Sequence, residues 1–395
     1  MADNKFTRKH KERKPVVAIC YDFDKTLSPD DMQAQGYIQS VGYDIKSFWA
    51  EFWAESNKLA EDNDMDQNLA YMYEMMEKAR GRLVFTKDKL EEYGAKVNLF
   101  PGVEDWFERM RQYGLEQNVI VEHYIISSRL KEMIEGTTVA KSGAFEKIYA
   151  SSFYFDNYGV AIWPAQVVNY TNKTQFLFRI EKGVLDINDQ GVNDYFSPED
   201  IRVPFRNMVY IGDSDTDIPC MKLVNTYGGH SIGVYNPDTK DKKKVYKMIK
   251  DNRIKYFASA DYTDGSELDI LVKSIIDRTS ANEKLENISF ELKDEVKKSD
   301  EAYIINEEEE KKESLILSLE DSSNFANTHT IISQLLVIDK WSNDQIKNLY
   351  KIAVENNQVN WILTDYDVAE FYKRLLENFD YSDENSEKIK LELES

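Results

Sequence analysis

Asp22 and Asp24, two carboxylates spaced i, i+2, follow the apolar run Val16-Val17-Ala18-Ile19-Cys20-Tyr21 and stand just before Thr26. The run reads as a strand buried on both faces. Alternate side chains of a strand point one way, so both acids leave the strand end on the same side, where α/β sheets bind their ligands. Acids held together repel each other, and a chain that keeps both needs a compensating charge, usually a cation. Asp is also common in turns, so the pair alone is readable as an Asp-rich turn. A second acidic strand end changes the balance. Met208-Val209-Tyr210-Ile211 meets Gly212 and then Asp213, Asp215 and Asp217 at alternate positions. The glycine permits a tight turn, and the acids beyond it suit Mg²⁺, a hard cation with oxygen ligands. Asp217 also suits a helix N-cap.

Two further features carry weaker signals. The apolar run Val119–Ile126 ends in the hydroxyls Ser127 and Ser128, followed by Arg129. Thr171-Asn172-Lys173-Thr174 opens a helix to about residue 180, with Gly183 as its stop. Lys173 then falls in the first helical turn, where the macrodipole disfavours a cation unless an anion is close.

The elements that position these residues follow from periodicity. Between 31 and 97, Phe48, Trp49, Phe52, Trp53, Leu69, Met72, Met75 and Met76 recur at three- and four-residue intervals. That is a helical core stripe, and an insert placed directly after an acidic strand end can act as a lid. Asp62, Asp64 and Asp66 resemble the start of a calcium loop, but Gln67 and Tyr73 occupy the positions that need Gly and Glu. A solvated acidic turn between two helices is the expectation there. Val103–Tyr113 reads as a helix, 145–150 as a strand, 153–163 as a hairpin about Asp156-Asn157-Tyr158-Gly159, and Ser231–Tyr235 as the last core strand. The lysines at 240, 242, 243, 244, 247 and 250 read as a solvated helix face, with attraction of a phosphorylated substrate as the alternative. Residues 281–312 are polar, include four consecutive glutamates from Glu307, and read as an acidic linker. Residues 313–379 return to helical periodicity, with a capping box at Ser342 and Gln345.

Composition bounds the function. A net charge of -21 over 395 residues argues against general nucleic-acid binding and against anionic membrane surfaces, although a phosphate end could still be handled locally. Two cysteines, Cys20 and Cys220, make no disulfide framework, which fits a reduced, cytoplasmic setting. Residues 1–14 are basic and read as a solvated tail. The apolar run after them stops at Asp22, too short for a secretory signal, and no run approaches a membrane span.

Asp22/Asp24, Ser127, Lys173 and Asp213/Asp217 thus occur in order, and in this the chain resembles the haloacid dehalogenase superfamily of phosphohydrolases at all four motifs, over about residues 15–275. D-x-D-x-T and G-D-x-x-x-D are specific in combination. The sequence looks closest to the phosphoserine-phosphatase-like branch, whose helical cap is inserted just after the first motif. The resemblance implies an α/β core (15–30 and 98–280) built on a doubly wound, mostly parallel sheet, and a helical cap (31–97); it does not extend to residues 313–395, which read by their own periodicity as a small helical module. It implies hydrolysis of a small phosphorylated metabolite. Asp22 would be the nucleophile that forms an aspartyl-phosphate, and Asp24 the acid and then base. Mg²⁺ would be held by Asp22, Asp213 and the Asp24 carbonyl, with Asp217 orienting Lys173 or the metal shell. Lys173 would supply positive charge, Thr26 would fix the loop, and Ser127 would bind a phosphoryl oxygen, with Ser128 beside it. Arg129 stands where the branch usually has glycine. It either binds a second anionic group of the substrate or points to solvent. Two alternatives remain at this level: a phosphotransferase, or a phosphatase-like scaffold acting through a protein partner at 313–379.

Overall fold

The computed structural model describes residues 14–196, 201–299, 301–379 and 381–394, so the basic tail lies outside the described residues except for Lys14. The chain forms two compact units, Met1–Leu185 with Arg202–Lys284, and Asp186–Ile201 with Leu285–Ser395.

The first unit is built on seven strands: β1 Val16–Tyr21, β2 Ile120–Leu130, β3 Lys147–Phe155, β4 Ala161–Gln166, β5 Met208–Gly212, β6 His230–Tyr235 and β7 Tyr256–Ser259. Their order is β4-β3-β2-β1-β5-β6-β7, parallel throughout except for the β3–β4 hairpin. All six residues of β1 are buried. Val17, Ile19 and Tyr21 enter one apolar layer, and Val16, Ala18 and Cys20 enter the other, as strand alternation requires. Successive strands build outward from β1 on one side and resume with β5 on its other side. The crevice at the C-terminal end of β1 is therefore a topological switch point.

Four helices fill the segment after β1: α1 Tyr37–Ser40, α2 Ile45–Asn63, α3 Gln67–Ala79 and α4 Lys87–Gly94. Phe48, Phe52, Met72 and Met75 bury the expected stripe, with Trp49, Trp53 and Met76 partly covered. Beyond it come α5 Val103–Glu116, α6 Lys131–Gly136, α7 Thr138–Lys141, α8 Lys173–Lys182, α9 Ile218–Thr226, α10 Lys243–Lys250 and α11 Glu267–Ser299. The backbones of α4 and α6 touch: a Cβ on Gly94 would lie 1.9 Å from the Met133 carbonyl oxygen, and one on Gly136 would lie 2.1 Å from that of Glu91. Cys20 and Cys220 are free and buried.

Three expectations are corrected. The strand read at 145–150 and the first arm of the 153–163 hairpin form one continuous strand, β3. Strand β7 was not anticipated, because four residues offer too short a pattern. Residues 281–299 and 301–312 are helical, within α11 and α12 Glu301–Glu320, where an irregular linker was expected. Glu, Lys, Leu and Ala are strong helix formers, and neither Gly nor Pro occurs between Glu267 and Glu320.

The second unit contains α12 and α13 Phe325–Leu335, α14 Asn343–Glu355, α15 Asn357–Trp361, α16 Tyr366–Asn378 and α17 Glu384–Glu394. Leu319, Ile332, Leu335, Ile346, Leu349, Val368 and Tyr372 form its core. Ser342 and Gln345 make the expected capping box. Asp194, from the segment that leaves the sheet unit, accepts a 3.3 Å hydrogen bond from the Asn327 amide. No helix among the described residues is long and apolar enough to cross a membrane.

Candidate active site

The buried β1 strand carries Asp22 to the switch point, where the Asp22 N–H extends the ladder by donating to the Ile211 carbonyl at 3.0 Å. The β5 end brings Asp213 beside it, and the turn after Gly212 brings Asp217. One carboxylate oxygen from each of these three acids lies within 4.8 Å of the others. Gly212 makes this approach possible, since a Cβ there would stand 2.6 Å from Asp217 Oδ2.

Lys173 answers this charge. Its position at the start of α8 aims a fully buried ammonium at Asp217 Oδ1 (2.8 Å) and Asp22 Oδ1 (3.3 Å). Burial works against its charge, but Asp217 and Asp22 hold its pKa well above the ordinary lysine value. The turn before it is set by Asn169, whose Oδ1 accepts the N–H groups of Thr171 and Asn172, both at 2.9 Å.

Burial, then Asp217 and Asp22, push Asp213 up to about 7. Burial also raises Asp22, against the opposing pull of Lys173. Three acids facing one buried ammonium fit a hard divalent cation, which oxygen ligands prefer. Their share in holding it differs. Asp217 already accepts Lys173 and the Tyr210 hydroxyl on Oδ1, and the Ser214 N–H and hydroxyl on Oδ2. Both of its oxygens are thus engaged, which leaves Asp22 and Asp213 as the carboxylates with open capacity. The Asp24 side chain stands outside the cluster: Oδ1 accepts the Met32 N–H at 3.1 Å and Oδ2 accepts Arg129 Nε at 3.2 Å. Burial raises its pKa well above the carboxylate range, with Arg129 opposing and Asp31 and Asp22 adding to the rise.

A cavity of about 550 Å³ opens over these groups, lined by Asp22, Asp24, Arg129 and Asp213 and on its far wall by Trp53 and Asn68 of the helical insert. Ser128 lines it with a buried hydroxyl that has no partner among the described residues. Ser127 is fully buried behind the wall, its Oγ accepting the Arg129 N–H at 3.2 Å. Thr26 is likewise buried outside the lining, and its carbonyl accepts the Tyr262 hydroxyl. Arg129 does not point to open solvent. It pairs with Asp24 and Asp31 and lies over the Tyr71 ring at 5.3 Å.

Some lining residues carried no usable sequence signal. Asp66, expected in a solvated turn, N-caps α3 and faces the cavity, and Tyr170 joins it there. Lys244, expected on a solvated helix face, lines the cavity 3.6 Å from Asp213. Nothing local distinguishes Tyr170.

The chain is similar to known proteins. The family model for haloacid dehalogenase-like hydrolases matches residues 19–222. An uncharacterized protein of Borreliella burgdorferi is 28% identical over 279 residues, covering 65% of this chain and 95% of the relative. Among solved structures, a hydrolase of the same family from Salmonella enterica serovar Typhi is similar at 14% identity and a TM-score of 0.42, covering 67% of this chain and 73% of that one. A phosphoserine phosphatase with a phospho-aspartyl intermediate analogue is similar at 14% identity and a TM-score of 0.40, covering 66% and 99%.

Proposed function

The chain belongs to the haloacid dehalogenase-like hydrolase family and is an enzyme of that family, and from this premise we propose that it is a Mg²⁺-dependent phosphatase of small phosphate monoesters. The observation that supports this most is Lys173, buried completely and bridging Asp22 and Asp217. A buried ammonium fixed against one carboxylate by another favours the ionised form of Asp22, orients it and sets positive charge beside it. Those are the requirements of a nucleophile toward a phosphoryl group.

In this reading an Asp22 carboxylate oxygen attacks phosphorus in line, forming an aspartyl-phosphate as the P–O ester bond breaks. The leaving oxygen takes a proton from Asp24, whose burial favours the protonated carboxyl. Water then attacks the same phosphorus, its proton goes to Asp24, and the bond to Asp22 breaks to release inorganic phosphate. Lys173 offsets charge on Asp22 and the phosphoryl oxygens, and Ser128 offers its unpartnered hydroxyl to one of them. Mg²⁺ held by Asp22 and Asp213 would supply electrostatic stabilisation of the phosphoryl oxygens. The insert forms one wall of the cavity, whose volume suits small esters.

The test is phosphate release from p-nitrophenyl phosphate. Release by the wild type, lost on EDTA treatment and in Asp22→Asn, is the expected result. Release that survives Asp22→Asn removes the nucleophile assignment.

A further inference from the structure

We infer that the ester hydrolysed here has a leaving group without an anionic group of its own, so that the phosphoryl is the substrate's sole negative centre. The inference rests on the phosphatase reading and on how charge is distributed around the cavity.

Three cations line the cavity: Lys25, Arg129 and Lys244. Lys25 and Lys244 belong to the phosphoryl end. Lys25 adjoins Asp24 and pairs with Asp31 at 2.8 Å, and Lys244 pairs with Asp213 at 3.6 Å. Arg129 lies against the aromatic rings of the insert, its guanidinium 5.3 Å from the Tyr71 ring centre and 6.0 Å from that of Trp53. Part of its N–H fork is already committed to acids. Nε is held by Asp24 at 3.2 Å and Nη2 by Asp31 at 3.0 Å, so one guanidinium already serves two acids. A carboxylate brought by the substrate would compete with Asp31, which already holds both Arg129 and Lys25.

The far wall reinforces this. Trp53, Met65, Asn68 and Tyr170 offer apolar faces and an amide, and the ionisable group among them is an acid, Asp66. Asp66 Oδ1 accepts the N–H groups of Asn68 and Leu69, and Oδ2 accepts the Asn169 amide at 2.7 Å. These donors stabilise the carboxylate without cancelling its charge, and among the described residues no cation forms an ion pair with it. A neutral or cationic leaving group is accommodated by such a wall; a second carboxylate is repelled.

Pairs of esters that differ by one carboxylate test this with the full-length protein and Mg²⁺. O-phosphoethanolamine is compared with O-phosphoserine, and glycerol 3-phosphate with 3-phosphoglycerate. Each is assayed for phosphate release and as a competitor of p-nitrophenyl phosphate, so that binding is read even where turnover is slow. The expected result is that the member without a carboxylate leads by at least about tenfold in kcat/KM or in inhibition constant, because like charges a few ångströms apart in a partly desolvated cavity cost that much. The ratio narrows in Asp66→Asn. Equal or reversed ratios, with hydrolysis intact, overturn this inference and leave the phosphatase reading standing. No metal-dependent release from any ester overturns both.

Discussion

At the scale of single residues, the site is a charge problem solved by one lysine. Asp22, Asp213 and Asp217 share a small volume, and Lys173 is the buried cation among them. Replacing Lys173 by Met keeps the volume and leaves the acids uncompensated, and breaking such a buried pair costs about 3–5 kcal/mol. The expected outcome is a lower melting temperature without metal, and a larger upward shift on adding Mg²⁺ than the wild type shows. Melting curves with and without Mg²⁺ check this; equal shifts would mean that the lysine does not neutralise the metal-facing acids. Asp22, Lys173, Asp213 and Asp217 were legible in the sequence because local rules fix them. A strand end sets the side on which an acid emerges, and a helix start sets the cation. Trp53, Asp66 and Tyr170 were not legible as cavity residues, because which way a helix or loop faces a strand end distant in the chain is decided by tertiary packing. Arg129 was legible as a departure but not as a residue engaged by Asp24 and Asp31, since that depends on where the loop carrying Asp31 returns.

Among elements, the contact of α4 with α6 joins the helical insert to the sheet unit through two glycines whose backbones leave no room for a side chain. The same junction holds Glu132 in the first turn of α6, with 3% exposure, Oε1 accepting the Phe153 N–H and Oε2 without a partner. Burial pushes its pKa from 4.5 up to about 7. Between those values the folded chain keeps a proton that the unfolded chain releases. Stability from this group therefore falls as pH rises from about 4.5 to about 7, by an amount on the order of 3 kcal/mol at most. Glu132→Gln keeps the acceptor for Phe153 and removes the ionisation. Denaturant unfolding should show the variant more stable than wild type at pH 8 and close to it at pH 4.5; parallel pH dependences would refute the assignment. Element types were read well where patterns were long, as in β1, α5 and the insert stripe. They were misread where charge masked helix propensity, as at 281–312, and missed where the pattern was short, as at β7.

For the whole molecule, the cores of the two units have no residue in common, and every residue lining the cavity belongs to the first. A chain ending at residue 284 is thus expected to retain metal-dependent phosphate release within about threefold of the full chain, since mutations remote from a site usually act independently of it. Loss of release, in a truncated protein whose circular dichroism and melting remain cooperative, would show that the helical unit contributes to the chemistry. That unit is not a simple terminal addition. The chain enters it at Asp186, returns to the sheet unit at Arg202, and enters it again after Lys284. Both ends of the first excursion are fastened on the sheet side: the Leu185 carbonyl accepts the Tyr149 hydroxyl, and Arg202 grips Glu122 with two hydrogen bonds of 2.7 and 2.5 Å. A gene fusion appends a domain at one peptide bond, whereas this arrangement crosses at three. Loss of the C-terminal segment alone would take from Asp194 the Asn327 amide that donates to it, a cost that a domain joined at one peptide bond does not carry.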